Sequence, residues 1–287
     1  SNAYYNSVPL NFNVSLNENG STVQYTLNGG LTNVSMSSTD NRNYNATNAS
    51  IADGAYTFKV YSNDTSGNRN DTTNATFSVD ITKPLITYGT GTENSGVNLS
   101  RNWIYVNVTV TETNEANITF RLYNSTGNYN TTTFSTAVRT INWTGLVNGI
   151  YTYNVTLTDL ASNTNTTQTY TLTLDSTSPV ANLIAPTNAS SVTSSTQSFN
   201  ATFSDNIQLV NATFYLWNST ALINTTTNVL TGTSGSVNLT VVLPYEGTFY
   251  WNYLVSDTTS SIFNNSNYTL IYSVPDSTSP IVTINFP

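Results

Sequence analysis

The segments "DGAYTFKVYSND" (53–64), "NGIYTYNVTLTD" (148–159) and "EGTFYWNYLVSD" (246–257) repeat one design: a turn with glycine, an aromatic residue two places on, alternating apolar residues, then aspartate. Their glycines, Gly54, Gly149 and Gly247, lie 95 and 98 residues apart. Each unit then closes in the same way, with "FSVDITKP" (77–84), "LTLDSTSP" (172–179) and "YSVPDSTSP" (272–280). Self-similarity at a fixed period marks an array of equal units. The chain of 287 residues therefore reads as three tandem domains, each long enough to bury its own core.

Within a unit the apolar residues alternate, as Val106, Val108 and Val110 do against Asn107, Thr109 and Thr111. That period of two is a strand with one face inside and one in solvent. In the second unit strands are expected near 85–88, 103–111, 117–123, 131–134, 138–143, 150–158 and 168–174, divided by Asn, Gly, Ser and Thr turns. About seven short strands per unit predict an all-β chain of three β-sandwiches. The boundaries fall at 4–82, 83–177 and 178–278. Ser1-Asn2-Ala3 reads as the remnant of an expression tag, and unit one has no clear first strand before Val8. "SPIVTINFP" (279–287) parallels "SPVANLIAP" (178–186) and opens a truncated fourth unit.

Composition removes whole classes of function. The chain has no cysteine and no histidine, which excludes thiolate and imidazole catalysis, disulfides and the common zinc sites. Charged residues are 8% and the net charge is −8, the reverse of what a phosphate backbone requires. No stretch approaches the roughly 18 apolar residues of a membrane span. Ser, Thr and Asn abound, yet aromatics reach 12%, a folded rather than a disordered composition. After Arg139 there is no Lys or Arg, while six acids follow.

In immunoglobulin-like sandwiches a tyrosine at the start of strand F bonds back to the chain, two residues before the second core cysteine. Tyr56 and Tyr151 take that corner, and Phe58, Tyr153 and Trp251 fill the cysteine's place with aromatic volume. Phe249 lacks the hydroxyl, so the third corner has no such bond. "VQYTLNGG" (23–30), "DGAYTFKVYSNDTSGN" (53–68) and "FSVDITKP" resemble the Ig-like repeats, of fibronectin-III or bacterial Ig-like type, of large archaeal and bacterial surface proteins, including surface-layer proteins and adhesin stalks. The resemblance implies an elongated array on the cell exterior with a structural or adhesive role and no catalysis. The partners it implies are neighbouring domains of the same chain, like subunits or surface glycans.

Asn-x-Ser/Thr occurs about two dozen times, and Asn107, Asn117, Asn142, Asn154, Asn200, Asn211 and Asn238 are expected glycosylation sites. Strand alternation alone also sets Asn and Thr two apart, so outer faces of plain polar residues explain part of the density. Trp103, Trp143, Trp217 and Trp251 could form a sugar platform, but Trp251 and Trp143 fall on inner phases and Trp217 sits where unit two has Tyr123, a recurring packing position. Glu112 and Glu115 are a close carboxylate pair in one short turn, without the facing arrangement a glycosidase requires. Lys59 falls on an outer phase, which argues against a buried crosslink to asparagine.

The acids recur by position. One follows the second strand of each unit (Glu18, Glu112, Asp205), one follows strand F (Asp64, Asp159, Asp257), and the linkers carry Asp80, Asp175 and Asp276. These loops share the end of the sandwich where the chain enters. Asp80, Glu112 and Asp159 are therefore expected to meet at the first junction, and Asp175, Asp205 and Asp257 at the second. Calcium accepts such oxygen ligands in flexible geometry, and the arrangement resembles the calcium-stiffened junctions of cadherins and some adhesins. The competing reading is turn chemistry, in which each Asp caps its own loop.

Overall fold

The computed structural model describes residues 3–285. It contains strands, turns and bends but no helix, so none of the described residues forms a helix long and apolar enough to cross a membrane. Six sheets form three pairs. The first pair sets Leu10–Ser15, Asn43–Asn48 and Ser37–Ser38 against the ordered strands Ala3–Tyr5, Asn74–Val79, Gly54–Asp64, Gly20–Thr26 and Val34–Ser35. The second comprises Leu85–Tyr88, Trp103–Thr111 and Thr140–Thr144, with Asn98–Leu99, Tyr170–Leu174, Gly149–Asp159, Glu115–Asn124 and Gly127–Phe134. The third repeats that order with Val180–Ala185, Thr196–Ser204 and Ser234–Val242, and with Ser190–Val192, Tyr268–Tyr272, Gly247–Asp257, Leu209–Trp217 and Leu222–Val229.

All seven strands expected in the second unit are present, several extended at their ends. Short strands add to them. Asn98–Leu99 and Ser190–Val192 each pair in parallel with the last strand of their sandwich, as Ala3–Tyr5 does with Asn74–Val79. Ala3, read above as part of a tag remnant, is the first residue of a strand and registers with Phe77. Ser1 and Asn2 lie outside the described residues. Before Val8 there is thus a strand after all, although no counterpart of Leu85–Tyr88 or Val180–Ala185 pairs with the outer edge of Leu10–Ser15 among the described residues.

Packing divides the chain into two compact units, Ser1–Glu93 with Tyr105–Ile141 and Tyr153–Thr169, and Asn94–Ile104 with Asn142–Thr152 and Tyr170–Pro287. In the former, the first sandwich is filled by aromatics: Phe12 stacks on Phe58 at 4.8 Å and 8°, and Tyr56 stacks on Phe77 at 5.5 Å and 23°. In the latter, the third sandwich packs Phe199, Phe214, Trp251 and Tyr253, all 0% exposed. Phe199 meets the Trp251 ring edge-on at 5.2 Å. Such pairs add about 0.5–1.5 kcal/mol each beyond the area they bury, which matters in a chain with no disulfide.

Each long strand of the repeated segment starts on a glycine with strongly positive φ: 152° at Gly54, 156° at Gly149 and 158° at Gly247. Side chains avoid that region, which is why glycine returns there. Two residues on, Tyr56 Oη donates to Ala52 O at 2.9 Å and Tyr151 Oη donates to Val147 O at 3.0 Å. At the third corner the Phe249 ring packs on Tyr245 at 5.4 Å instead. Tyr245 stands four residues earlier, at the position whose carbonyl accepts the bond in the other two.

Trp143 and Trp251 are core residues, 7% and 0% exposed. Trp103 is 37% exposed, with the Arg101 guanidinium 3.6 Å over its ring. Trp217 does not pack inward as expected: Phe214 and Leu216 take the inner phase of its strand, which leaves Tyr215 and Trp217 on the outer face. Lys59 stands over the Tyr61 ring at 5.1 Å.

No neighbouring atom lies within 4 Å of where a Cβ on Gly149 would stand, so the cost of Gly149→Ala is backbone strain alone. The substitution should destabilise the second sandwich by about 1–3 kcal/mol. Tyr151→Phe, which removes only the hydroxyl, should cost about 1 kcal/mol. Urea unfolding of both variants followed by tyrosine and tryptophan fluorescence checks this.

Candidate metal centre

The linker acids are placed by backbone before their side chains act. Asp80 N donates to Tyr5 O and Asp175 N to Leu99 O, both at 2.9 Å, so the chain leaving each sandwich is stitched to the short parallel strand. The side chain then caps its own turn, Thr82 N donating to Asp80 Oδ1 and Thr177 N to Asp175 Oδ1, both at 3.2 Å. Asp276 repeats this turn with Thr278 N at 2.8 Å. The recurring Asp-x-Thr is therefore an Asx turn in all three linkers.

At the first junction, amides occupy the remaining oxygens. Asn114 Nδ2 donates to Asp80 Oδ2 at 3.2 Å. Asn163 donates from N and Nδ2 to the two oxygens of Asp159, each at 2.8 Å, and its Nδ2 also reaches Asp80 O at 2.7 Å. Glu112 turns back on its own loop, Oε1 accepting from Thr113 N at 2.8 Å and Asn114 N at 2.7 Å. Asp80, Glu112 and Asp159 are thus held by amides and by their own turns, and among the described residues they do not bring one oxygen each together as the acids of the second junction do. Glu115, the other carboxylate of that turn, pairs with Arg139.

The second junction has acids at the same positions but lacks the counterpart of Asn163. Asp159-Leu-Ala-Ser-Asn163 becomes Asp257-Thr-Thr-Ser260, one residue shorter, and the loop closes from Asp257 N to Ser260 O at 3.0 Å instead of Asp159 N to Asn163 O at 3.1 Å. The bridging asparagine is lost. Thr259 Oγ1 takes over the bond to the linker, donating to Asp175 O at 3.0 Å. Asp205 Oδ1 accepts from Ile207 N at 2.7 Å and Gln208 N at 2.8 Å.

What remains is a set of unspent oxygens. Asp175 is 0% exposed, with Oδ1 bonded to Asn148 Nδ2 at 3.1 Å and Oδ2 bonded to nothing. Asp205 Oδ2 is likewise buried and without a partner. Asp175, Asp205 and Asp257 each place one carboxylate oxygen within 4.8 Å of the others. Oxygens bound across a calcium ion at 2.3–2.6 Å stand at most about 5 Å apart, so the spacing suits that ion. Burial, reinforced by the charges of Asp205 and Asp257, holds the Asp175 carboxyl above its ordinary range; the Thr177 N–H and the nearby Asn206 side chain offset part of this. Two buried, unpaired oxygens facing like charge are unfavourable unless a proton or a cation joins them.

The bridging asparagines are the residues that positional reading missed, and the sequence carried their signal. "DTSGN" (64–68) and "DLASN" (159–163) share Asp and Asn four apart, and Asn68 binds both oxygens of Asp64, from N at 2.8 Å and Nδ2 at 2.6 Å. Only the third unit breaks the motif.

Of the expected glycan sites, Asn142 and Asn238 are exposed. Asn117, Asn200 and Asn211 are half-buried on outer strand faces. Asn107 Nδ2 is spent on Thr90 O at 2.9 Å and Asn154 Nδ2 on Thr169 Oγ1 at 3.2 Å, so the nitrogen that would carry sugar is already engaged at both.

Residues 1–81, the first sandwich, match the bacterial Ig-like domain family. No curated protein matches the chain. Among solved structures, a tetra-tandem repeat from the extending region of a large adhesion protein is similar at 20% identity and a TM-score of 0.45, over 92% of this chain and 71% of that one. The fibronectin(III)-like modules of Clostridium thermocellum CbhA are similar at 15% identity and a TM-score of 0.36, over 61% and 88%. The FN1–FN3 domains of chicken CNTN1 follow at 8% identity and a TM-score of 0.28, over 88% of each chain.

The raised carboxyl sets a sign for pH dependence. A group that holds its proton more tightly folded than unfolded makes the fold less stable as pH rises between its ordinary range and its folded one. In chelator, the difference in melting temperature between Asp175→Asn and the unaltered chain should be largest at neutral pH and shrink as pH falls toward 4. Calcium should stabilise the unaltered chain at neutral pH and leave Asp175→Asn unmoved. Calorimetry at pH 4 to 8 with and without the ion reads both.

Proposed function

We propose that this chain is a non-catalytic spacer segment of a large cell-surface protein of surface-layer or adhesin-stalk type, with its entry into the third sandwich held by a calcium ion. The observation that carries the reading is repetition: one strand order, one stitched linker and one Asx turn recur where an enzyme would depart from its neighbours to build a site. The match of residues 1–81 to the bacterial Ig-like domain supports a prokaryotic exterior location. Short, proline-ended linkers suit a spacer, because they restrict how one unit can fold back on another.

Small-angle scattering is expected to give a maximum dimension on the order of 100 Å or more, from strands of about 17–20 Å plus their loops in each of three units. A compact globular profile contradicts the spacer reading. Chelator should broaden the distance distribution while circular dichroism stays unchanged.

The scarcity of charge and the density of sequons support N-glycosylation in the natural host, an archaeal or bacterial cell. Asn142 and Asn238 are the first sites expected to be occupied, whereas Asn107 and Asn154 should be bare. Glycopeptide mass spectrometry of protein taken from that host gives the answer; bare peptides at Asn142 and Asn238 would count against the reading.

A further inference from the structure

The third sandwich departs from the other two on its outer face. At aligned positions of the same strand the first carries Thr26 and Asn28, the second Arg121 and Tyr123, the third Tyr215 and Trp217. Arg121 is engaged, its guanidinium donating to Thr156 Oγ1 at 2.7 Å. Tyr215 and Trp217 lie with rings parallel, 5.4 Å and 7° apart, and Phe263, 40% exposed, closes edge-on against Tyr215 at 5.4 Å.

Trp217 also lines an open groove of about 630 Å³, with Asn218 and Leu222 on one side and Tyr250 and Asn267 on the other. Tyr250 is the cross-strand partner of Trp217. Beneath this layer Asn252, 1% exposed, donates to Asn264 O at 3.1 Å and to Asn267 Oδ1 at 2.9 Å, which fastens the 264–267 loop to the sheet as a wall. The oxygen of Asn267 is thereby spent. Its NH₂ group and the Tyr250 hydroxyl form no hydrogen bond among the described residues.

From this we infer that the groove beside Trp217 is a binding site for a neutral sugar, a function beyond the spacer role. An indole flanked by unspent polar groups suits a pyranose ring: its C–H face packs on the aromatic surface, and its hydroxyls take the Asn267 amide and the Tyr250 hydroxyl. No charged side chain lines the groove. With no Lys or Arg after Arg139, an anionic ligand has no counter-charge here, and a neutral polyhydroxylated one needs none. The sugar can come from two sources, a glycan on another surface or a glycan on this chain, because Asn267-Tyr268-Thr269 at the rim is itself a sequon.

The test has two arms. Unglycosylated recombinant protein is titrated by calorimetry with a panel of neutral hexose and N-acetylhexosamine oligosaccharides. Saturable binding is expected for at least one, weakened by about ten-fold or more in Trp217→Ala, reduced less in Tyr250→Phe, and unchanged in Trp103→Ala, which removes an exposed tryptophan elsewhere. Tyr250→Phe removes a single oxygen and keeps the test readable if Trp217→Ala fails to fold. In the second arm, protein from the natural host is mapped for sugar at Asn267, with Thr269→Ala as the control that destroys the sequon. Sugar at Asn267 without binding in the first arm assigns the groove to the chain's own glycan. Binding that survives both groove substitutions overturns the inference, as does the absence of both panel binding and sugar at Asn267.

Discussion

The strand that begins at the positive-φ glycine carries most of the structure. Counting by twos from Gly54, Gly149 and Gly247, the inner phase takes the corner aromatic, then Phe58, Tyr153 or Trp251, and finally Asp64, Asp159 or Asp257 at the tenth place. Because side chains alternate with a period of two, the residue that fixes the corner, the one that fills the core and the terminal acid share a face. Asp159 and Asp257 thus emerge 1% and 6% exposed at the sandwich end where the linker is stitched. A carboxylate in that position is a direct consequence of strand register. What differs between units is how it is neutralised or solvated.

Two solutions to that problem stand side by side. At the first junction, neutral amides of Asn114 and Asn163 supply hydrogen-bond donors to the carboxylate oxygens. At the second, deletion of one loop residue removes the asparagine, and hydroxyls of Thr259 and Ser260 replace it. The Thr259 N–H and the Ser260 hydroxyl still meet the two oxygens of Asp257, so what the second junction lacks is a donor like Asn114 Nδ2, which meets Asp80 Oδ2 at the first. Thr259 spends its proton on Asp175 O, and Asp175 Oδ2 and Asp205 Oδ2 remain unmet.

The fold was legible wherever a period of two ran for four residues or more. The second-unit strands came out within a few residues of their observed ends, because apolar alternation and turn residues point the same way. Ala3–Tyr5, Asn98–Leu99 and Ser190–Val192 were not legible, since two or three residues show no period and their parallel pairing is decided by the chain 70 or more residues away. The acids' recurrence pointed to both junctions, yet among the described residues only the second gathers free oxygens, and the difference lies in the asparagines that donate to the acids of the first rather than in the acids. Trp217 was misplaced by comparison with Tyr123 alone. Alternation from Phe214 and Leu216 already set it outside, and Tyr123 too is less buried than its neighbour Leu122.

The outer surface obeys a further constraint. Gly127–Phe134 and Leu222–Val229 are edge strands without one charged residue, and Val229 is 83% exposed. Edges of soluble sandwiches are commonly guarded by lysine, which this chain lacks after Lys83. The guard here is made of side-chain ladders: Thr119 with Thr133 and Thr213 with Thr227, each at 3.0 Å, bind the edge strand to its neighbour from the outer face. Threonine suits this work because its branched stem favours the strand and its hydroxyl pairs across it. A surface of that kind is neutral and rich in hydroxyls and amides. Against such a background a cluster of Tyr215, Trp217 and Phe263 is the largest departure from the pattern, and Trp217 lines the groove together with Leu222, the first residue of the uncharged edge strand beside it.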